Sequence, residues 1–205
     1  MLVRKFVAGP IFNNTYLVAA EGGGKAIVID PCFGSVDKIL PAANELGLPI
    51  DLILNTHGHF DHVGGNAALK KATGCRILIH AADAGMLAAA FPPTPEPFPF
   101  EPSVADGFLS DKQVVELGPL KLEVMATPGH TPGSVCLYSR EDGVLFTGDT
   151  LLEGSHGRSD FPGGNAALLR ESLKKIAQLP PSTRILGGHG VETTIAQELD
   201  WLSEL

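Results

Sequence analysis

The chain has 205 residues, of which 44% are hydrophobic and 19% charged, and its formal net charge is −8. This balance indicates a folded globular protein, and the length fits one domain over residues 1–205. The acidic charge argues against nucleic acid as a partner, because binding a phosphate backbone needs a basic face. No apolar run approaches the roughly 20 residues needed to span a bilayer, so no membrane partner is expected.

The N-terminus and the cysteines indicate the cellular compartment of the protein. The first residues lack the apolar run of a signal peptide, so we expect none. Cys32, Cys75 and Cys136 are odd in number and have no C-x-x-C spacing. We interpret them as reduced, buried thiols of a cytoplasmic protein.

Short aliphatic runs bounded by glycine or proline predict strands, and segments with helical periodicity alternate with them. Strands are predicted over residues 2–6, 16–19, 26–29, 50–54, 76–80, 114–117, 120–126, 135–139, 144–147 and 184–186. Helices are predicted over residues 36–46, 66–72, 81–90, 165–179 and 195–205. Residues 13–15 are predicted as a turn, and Thr193 and Thr194 as the cap of the last helix.

Two other helix starts carry capping chemistry and a short repeat. Ser35 is predicted to cap the first helix. The sequence Gly-Gly-Asn-Ala-Ala-Leu occurs at residues 64–69 and again at 163–168, and each copy leads into a predicted helix. Asn66 and Asn165 are the predicted caps. Two similar halves of the chain and a coincidence of capping chemistry would both explain the repeat.

A proline-rich stretch interrupts this pattern, and we treat residues 91–105 as a loop insertion. Its first twelve residues hold six prolines and three phenylalanines, a density that excludes both helix and β-ladder. Phe91, Phe98 and Phe100 make it too apolar for a plain linker. Two interpretations stay open: a loop packed on the core, or a lid or wall of a substrate pocket or an oligomer contact.

The densest group of metal-binding residue types follows the predicted strand 50–54. His57, His59, Asp61 and His62 lie within six residues and are followed by a glycine pair. Side chains at the end of a strand can converge on one point, and imidazole with carboxylate suits Zn, Fe or Mn. The sequence therefore favours a metal site over a solvated polar loop.

Three further strand ends offer ligands of the same kind. His130, Asp149 and His189 each follow an apolar strand and sit next to glycine, which lets the backbone approach closely. A lone histidine in a glycine turn is more often structural than functional. Four such strand ends in one chain form a constellation, because metal sites on sheets collect ligands from loops at one edge.

The order and glycine contexts of these residues resemble the ligand set of the metallo-β-lactamase superfamily. The matching residues are His57, His59, Asp61, His62, His130, Asp149 and His189. The resemblance implies an α/β protein, a four-layer αββα sandwich of two mixed β-sheets flanked by helices. Residues 147–151, 157–162 and 187–190 resemble the short glyoxalase II-like, or hydroxyacylglutathione hydrolase-like, members. The two-domain type carries an additional C-terminal helical region that contributes to glutathione binding, and we expect this chain to lack it.

The same resemblance implies two divalent metal ions, with Zn²⁺ expected first and Fe or Mn as alternatives. It assigns His57, His59 and His130 to one ion, Asp61, His62 and His189 to the other, and Asp149 as the bridge. The implied reaction is attack of a metal-bridging hydroxide on a small-molecule thioester, such as the glutathione conjugate S-lactoylglutathione. Asp61 and Asp149 are the catalytic candidates, and Arg158 is the candidate for binding a substrate carboxylate.

A second function stays open. Persulfide dioxygenases resemble this chain in the same fold and in a similar Gly-Arg-x-Asp stretch. In them, residues corresponding to His57, His130 and Asp149 hold a single iron, an arrangement that suits oxygen chemistry.

Three polar residues outside the ligand set also have alternatives. Asp30 is predicted either to accept a hydrogen bond from a ligand imidazole or to cap a turn. His80 is predicted to be structural, since it ends an apolar strand. His156 is predicted to be solvated, with a place in the pocket as the alternative.

Overall fold

The computed structural model describes residues 1–91 and 100–205, and in these it has twelve strands, five α-helices and one 3₁₀ helix. The strands are β1 Leu2–Ala8, β2 Asn13–Ala19, β3 Ala26–Ile29, β4 Ile50–Leu54, β5 Arg76–His80, β6 Gly107–Leu109, β7 Val114–Leu117, β8 Leu120–Ala126, β9 Val135–Ser139, β10 Val144–Gly148, β11 Arg184–Gly187 and β12 Thr193–Thr194. The helices are α1 Val36–Glu45, α2 Phe60–Val63, α3 Asn66–Thr73, the 3₁₀ helix Ala84–Ala88, α4 Ala166–Ile176 and α5 Ile195–Leu202.

The strands form two six-stranded sheets, and each sheet comes from one half of the chain. Strands β1 to β6 lie in chain order in the first sheet, and β7 to β12 in the second. In the first, β3 to β6 pair in parallel and β1 and β2 are antiparallel. In the second, β10 and β11 pair in parallel, whereas β7 to β10 pair antiparallel. Both sheets are therefore mixed, as predicted.

The alternation of side chains along the strands explains why the two sheets pack together. Ile27 and Ile29 on β3 face the second sheet, whereas Ala26 and Val28 face the helices. Because successive residues point to opposite faces, a strand buried on both sides is apolar throughout. Burial of each isoleucine or valine side chain in such a strand contributes about 1.5–3 kcal/mol.

Helices cover the outer face of each sheet. Ile39 of α1 and Leu69 of α3 pack on the first sheet, and Leu169 of α4 and Ile195 of α5 pack on the second. The layers therefore run helix, sheet, sheet, helix, which confirms the αββα sandwich. The other predicted elements are confirmed with ends shifted by up to three residues.

The predicted turn at residues 13–15 is wrong, because these residues begin β2. Asn13 and Asn14 contact the end of β11 and the loop that follows it, rather than forming a turn. The backbone N–H of Asn14 donates to the carbonyl of Gly188 at 2.7 Å, and its side-chain amide donates to the carbonyl of Gly187 at 2.9 Å. Asn13 forms a β-bridge with His189. The strand thus reaches the edge where the candidate ligands lie.

The predicted helix over residues 81–90 is wrong in extent and type. The chain forms a 3₁₀ helix of five residues, Ala84–Ala88. Asp83 precedes it but makes no side-chain cap, and Gly85 lies inside it, so two sources of α-helical stability are missing. The sequence also missed α2, which is four residues long, β6, which is three, and β12, which is two and contains Thr193, predicted only as a cap. Segments this short have too little periodicity to detect.

Helix capping was predicted correctly at two of the four sites. The side chain of Asn165 accepts from the N–H of Leu168 at 3.0 Å, and Thr194 accepts from Gln197 at 3.3 Å. Ser35 instead donates to the carbonyl of Cys32 at 2.7 Å. Asn66 lies inside α3, and its side chain pairs with that of Asn55. The two Gly-Gly-Asn-Ala-Ala-Leu copies therefore use their asparagines differently.

The described ends of the proline-rich insertion contact the core and the candidate site. Phe91 accepts a backbone hydrogen bond from Phe60 at 2.8 Å, and its ring lies 6.0 Å from that of His59. Phe100 packs against the core on the outer face of the first sheet. Phe98 lies outside the described residues, so the choice between a packed loop and a lid stays a prediction.

Two further predictions concern the cysteines and the membrane. Cys32, Cys75 and Cys136 are unpaired and buried, as predicted. Within residues 1–91 and 100–205, the helices are too short or too polar for any of them to cross a bilayer.

Candidate metal centre

All seven predicted ligands converge at one edge of the sandwich. They come from five segments: the loop after β4 (His57, His59), α2 (Asp61, His62), the loop after β8 (His130), the end of β10 (Asp149) and the loop after β11 (His189). Among the predicted ligands, two triplets have their ligand atoms within 4.8 Å of one another, and Asp149 lies between them. A third group within the same distance, Asp30, His57 and His62, includes Asp30, which is outside the predicted set. Each triplet combines residues from both halves of the chain.

The first triplet consists of His57, His59 and His130. The Nδ1 of His130 donates to the backbone carbonyl of Arg158 at 2.6 Å, which leaves the lone pair on its Nε2. That nitrogen faces the Nε2 of His57 at 3.2 Å. Two imidazole nitrogens that face each other at this distance need a proton or a cation between them.

The second triplet consists of Asp61, His62 and His189. The Nε2 atoms of both histidines lie 3.3 Å from Oδ2 of Asp61. The Nδ1 of His62 contacts Oδ2 of Asp30 at 3.0 Å, and that of His189 contacts the carbonyl of Ile11 at 3.2 Å. Each Nδ1 is therefore used by an acceptor, and each Nε2 is the atom left to face an ion. The predicted contact between Asp30 and an imidazole of the set is confirmed.

Asp149 contacts members of both triplets. Its Oδ1 lies 3.3 Å from the Nε2 of His62. Its Oδ2 lies 3.6 Å from the Nε2 of His130 and 3.7 Å from that of His189. With 12% of its side chain exposed, this carboxylate is also open to the pocket above it. Its position suits a bridge between two ions.

The electrostatics favour neutral imidazoles in the first triplet and a positive charge in the second. Burial, reinforced by neighbouring histidines, holds the pKa of His57 well below its usual range, and burial lowers the pKa of His59 to about 3. Burial would also lower the pKa of His62, but the carboxylates of Asp61 and Asp149 outweigh it and hold that pKa well above its usual range. The carboxylates thus create a potential that attracts a cation.

Unpartnered atoms at the centre show that the residues fit metal ions. Among the described residues, the Nε2 atoms of His59 and His62 and Oδ1 of Asp149 are buried without a hydrogen-bond partner. Leaving such groups unpaired costs about 1–3 kcal/mol each, whereas coordination to a divalent ion would satisfy them. The nitrogen and carboxylate donors suit Zn, Fe or Mn.

A pocket of about 240 Å³ opens over the two triplets. Its apolar walls come from Ile11, Phe60 and Phe161, which sequence analysis did not assign to the site. Arg158 lines the pocket, with its guanidinium 4.3 Å from the centre of the Phe161 ring, and its role in binding a substrate carboxylate stays a prediction. It also makes a bidentate pair with Asp160 at 2.8 and 2.7 Å. A substrate carboxylate would have to compete with Asp160 for Arg158.

Polar residues outside the ligand set have separate roles. Asn13, which sequence analysis missed, is fully buried and donates from its side-chain amide to Oδ2 of Asp61 at 2.6 Å. His80 accepts from the N–H of Ala82 at 3.2 Å, which fits the predicted structural role. His156 lies beside the Trp201 ring, 6.1 Å between centres, and is not among the residues that line the pocket.

Comparisons with known proteins agree with this geometry. The family model of the metallo-β-lactamase superfamily matches residues 8–189. An uncharacterized protein of Aquifex aeolicus is 37% identical, and the match covers 97% of this chain and 94% of that protein. Hydroxyacylglutathione hydrolase GloC of Haemophilus influenzae is 36% identical, and the match covers 84% of both proteins.

Two solved structures match the fold of this chain over nearly its whole length. BLEG-1, a B3 metallo-β-lactamase, superposes with a TM-score of 0.91 at 32% identity and covers 98% of this chain and 100% of its own. TTHA1623 in a di-iron-bound form superposes with a TM-score of 0.81 at 34% identity and covers 99% and 100%. With its fold, its clustered ligands and a family match over most of its length, the chain belongs to the metallo-β-lactamase superfamily.

Proposed function

We propose that this protein is a binuclear, metal-dependent thioesterase that hydrolyses glutathione thioesters such as S-lactoylglutathione. The observation that carries the proposal is the pair of triplets joined by Asp149 at the floor of an open pocket. The similarity to hydroxyacylglutathione hydrolase GloC over 84% of both chains supports the substrate class. Zinc is the metal we propose, and the di-iron form of TTHA1623 makes iron the alternative.

The chain supplies the ligands and the surroundings of the reaction. His57, His59 and His130 would hold one ion, Asp61, His62 and His189 the other, and Asp149 both. A bound pair of divalent ions supplies Lewis acidity for a carbonyl and lowers the pKa of water to near neutrality.

Asp61 and Asp149 have a second role beside ligation. Both carboxylates lie at the floor of the pocket and can orient a water molecule for attack on the thioester carbonyl. Asn13 holds one oxygen of Asp61 through a hydrogen bond of 2.6 Å, so that carboxylate keeps one orientation. The thiol leaving group has an ordinary pKa of about 8.5 and leaves as a thiolate with little acid assistance.

The pocket walls would fix the rest of the substrate. Phe161 and Ile11 exclude water from the reacting bond. Arg158 would bind a carboxylate of the glutathione moiety, with Phe161 beneath its guanidinium. These contacts lie beside the triplets rather than within them, so they would set the substrate and not the chemistry.

The intact second triplet favours two ions over the single iron of a persulfide dioxygenase. A mononuclear site held by His57, His130 and Asp149 would leave the ligand atoms of Asp61, His62 and His189, which lie within 4.8 Å of one another, without an ion. We also propose the cytoplasm as the location, because unpaired thiols are typical of reducing compartments.

A substrate panel with metal analysis tests the proposal. The panel contains S-lactoylglutathione, a lactone, a β-lactam because of the similarity to BLEG-1, and glutathione persulfide with an oxygen electrode. We expect two ions per chain and the highest kcat/KM for the glutathione thioester. One iron per chain with oxygen consumption on the persulfide would refute it, and preferred β-lactam or lactone hydrolysis would refute the substrate class.

A pair of histidine variants tests the ligand assignment. His59→Ala should remove most of the hydrolysis and reduce the bound metal. His80→Ala is the matched control, because His80 lies outside the triplets. Unchanged activity and metal content in His59→Ala would contradict the assignment.

A further inference from the structure

Asp83 is a buried carboxylate outside the ligand set whose hydrogen bonds all reach loops that carry ligands. Its side chain is fully buried at the end of the turn after β5. Aspartate at this position commonly caps the helix that follows, but here the side chain makes no cap to the 3₁₀ helix Ala84–Ala88. Its hydrogen-bonding capacity is used elsewhere.

Two loops donate to Asp83. From the loop after β4, the N–H of Gly58, between two histidines of the first triplet, donates to Oδ2 at 3.0 Å. From the loop after β8, the hydroxyl of Thr131 donates to Oδ2 at 2.6 Å and the N–H of Gly133 donates to Oδ1 at 2.7 Å. Thr131 directly follows His130. One carboxylate therefore connects the two loops that supply the first triplet.

The two glycines let these loops lie directly against Asp83. A Cβ at Gly133 would sit 2.5 Å from Oδ1 of Asp83, and a Cβ at Gly58 would sit 2.7 Å from Cβ of Met86. Real Cβ atoms do not approach other atoms this closely. The contact is thus built from backbone N–H groups and needs glycine on both sides.

We propose that Asp83 is the positioning residue for the first triplet: it fixes the two ligand loops relative to each other, so that His57, His59 and His130 meet at one ion. The inference rests on the proposed function, since it takes this triplet to be a metal site. All three partners are donors, so a carboxylate satisfies them and an amide does not. In Asp83→Asn, the new NH₂ group would face a backbone N–H.

The chain offers a matched control in Glu198. This carboxylate is also buried, at 2% exposure. It also accepts three hydrogen bonds, from the hydroxyl of Thr193 at 2.6 Å, the N–H of Gly154 at 2.8 Å and the indole of Trp201 at 2.6 Å. None of these partners adjoins a residue of the first triplet in the chain. Glu198→Gln should therefore destabilise the fold without changing metal binding.

The test measures zinc dissociation constants by chelator competition in the full-length wild type and variants. Residues that orient metal ligands typically change metal affinity by about 10–100-fold when replaced. We expect Asp83→Asn to weaken one of the two ions by about that factor and to leave the other unchanged. Glu198→Gln should bind both ions as the wild type does, although the Tm of both variants should fall.

If Asp83→Asn has the zinc dissociation constants of the wild type, this inference is overturned but the proposed function is not. The same holds if Glu198→Gln weakens zinc binding as much as Asp83→Asn does. A wild-type chain that binds no zinc would overturn the proposed function and this inference together. If Asp83→Asn does not fold, Thr131→Val decides, because it removes one donor and keeps the carboxylate. Thr131→Val should weaken the binding of one of the two zinc ions, by a smaller factor than that expected for Asp83→Asn. Zinc dissociation constants equal to those of the wild type would overturn the inference.

Discussion

Replacing Gly188 with alanine is expected to damage the centre although no candidate ligand is replaced. Gly188 directly precedes His189, and a Cβ there would sit 2.5 Å from Oδ1 of Asp149 and closer still to the ring of His62. The backbone cannot retreat, since its N–H donates to Gly148 and its carbonyl accepts from Asn14, both at 2.7 Å. The two side chains must move instead.

The size of that movement sets the expected effect. Close carbon–oxygen contacts are about 3.3–3.6 Å, so the Asp149 carboxylate must shift by about 1 Å from its present place, 2.5 Å from the new Cβ. A displacement of about 1 Å in a catalytic geometry reduces the rate by about 100-fold. This factor corresponds to about 2.7 kcal/mol of transition-state stabilisation.

The assay compares kcat/KM for thioester hydrolysis, and metal content, in Gly188→Ala and Gly85→Ala. Gly85 is the control because its new Cβ would meet no atom within 4 Å. Its replacement should leave activity unchanged and the stability equal or higher by up to about 1 kcal/mol. Wild-type kcat/KM and two bound ions in Gly188→Ala would refute the close packing described for the centre.

Three further predictions concern the pocket mouth and the thiols. Arg158→Ala should raise KM for a glutathione thioester and leave KM for a neutral thioester unchanged. The increase should be only severalfold, because exposed charge contacts contribute little. Equal effects on the two substrates would show that Arg158 does not bind the carboxylate. Asp160→Asn should have the opposite effect on KM, since it frees the guanidinium. Burial raises the pKa of Cys136 to about 11 and also raises that of Cys32 and Cys75. Because thiolate is scarce below such a pKa, Ellman's reagent at pH 8 should label these thiols only after unfolding, and rapid labelling of a native thiol would contradict their burial.

The layer order and the seven candidate ligands were predictable because both depend on local patterns. A strand buried on two faces is apolar throughout, as in β3, and glycine next to a polar residue at a strand end marks each candidate ligand loop. The resemblance to a family added the partition into two triplets. The geometry places those triplets as the resemblance implied.

The supporting residues were not predictable, because their partners are far away in the sequence. Asp83 bonds to groups 25, 48 and 50 residues distant, and Asn13 bonds to Asp61 across 48 residues. No periodicity or spacing reports such contacts, and both residues have chemistry typical of turns. The same chemistry produced the wrong turn at residues 13–15 and the wrong caps at Ser35 and Asn66.

The division of the chain into two sheets has a consequence for the unfolded state. Neither half carries a complete triplet, so each ion would join the first sheet to the second. An ion held by His57 and His130 would close a loop of 73 residues. In the chain-entropy model, closing a loop of this length disfavours the unfolded chain by about 4 kcal/mol, as a disulfide would. The metal centre would then cross-link the two halves of a protein whose three thiols form no disulfide.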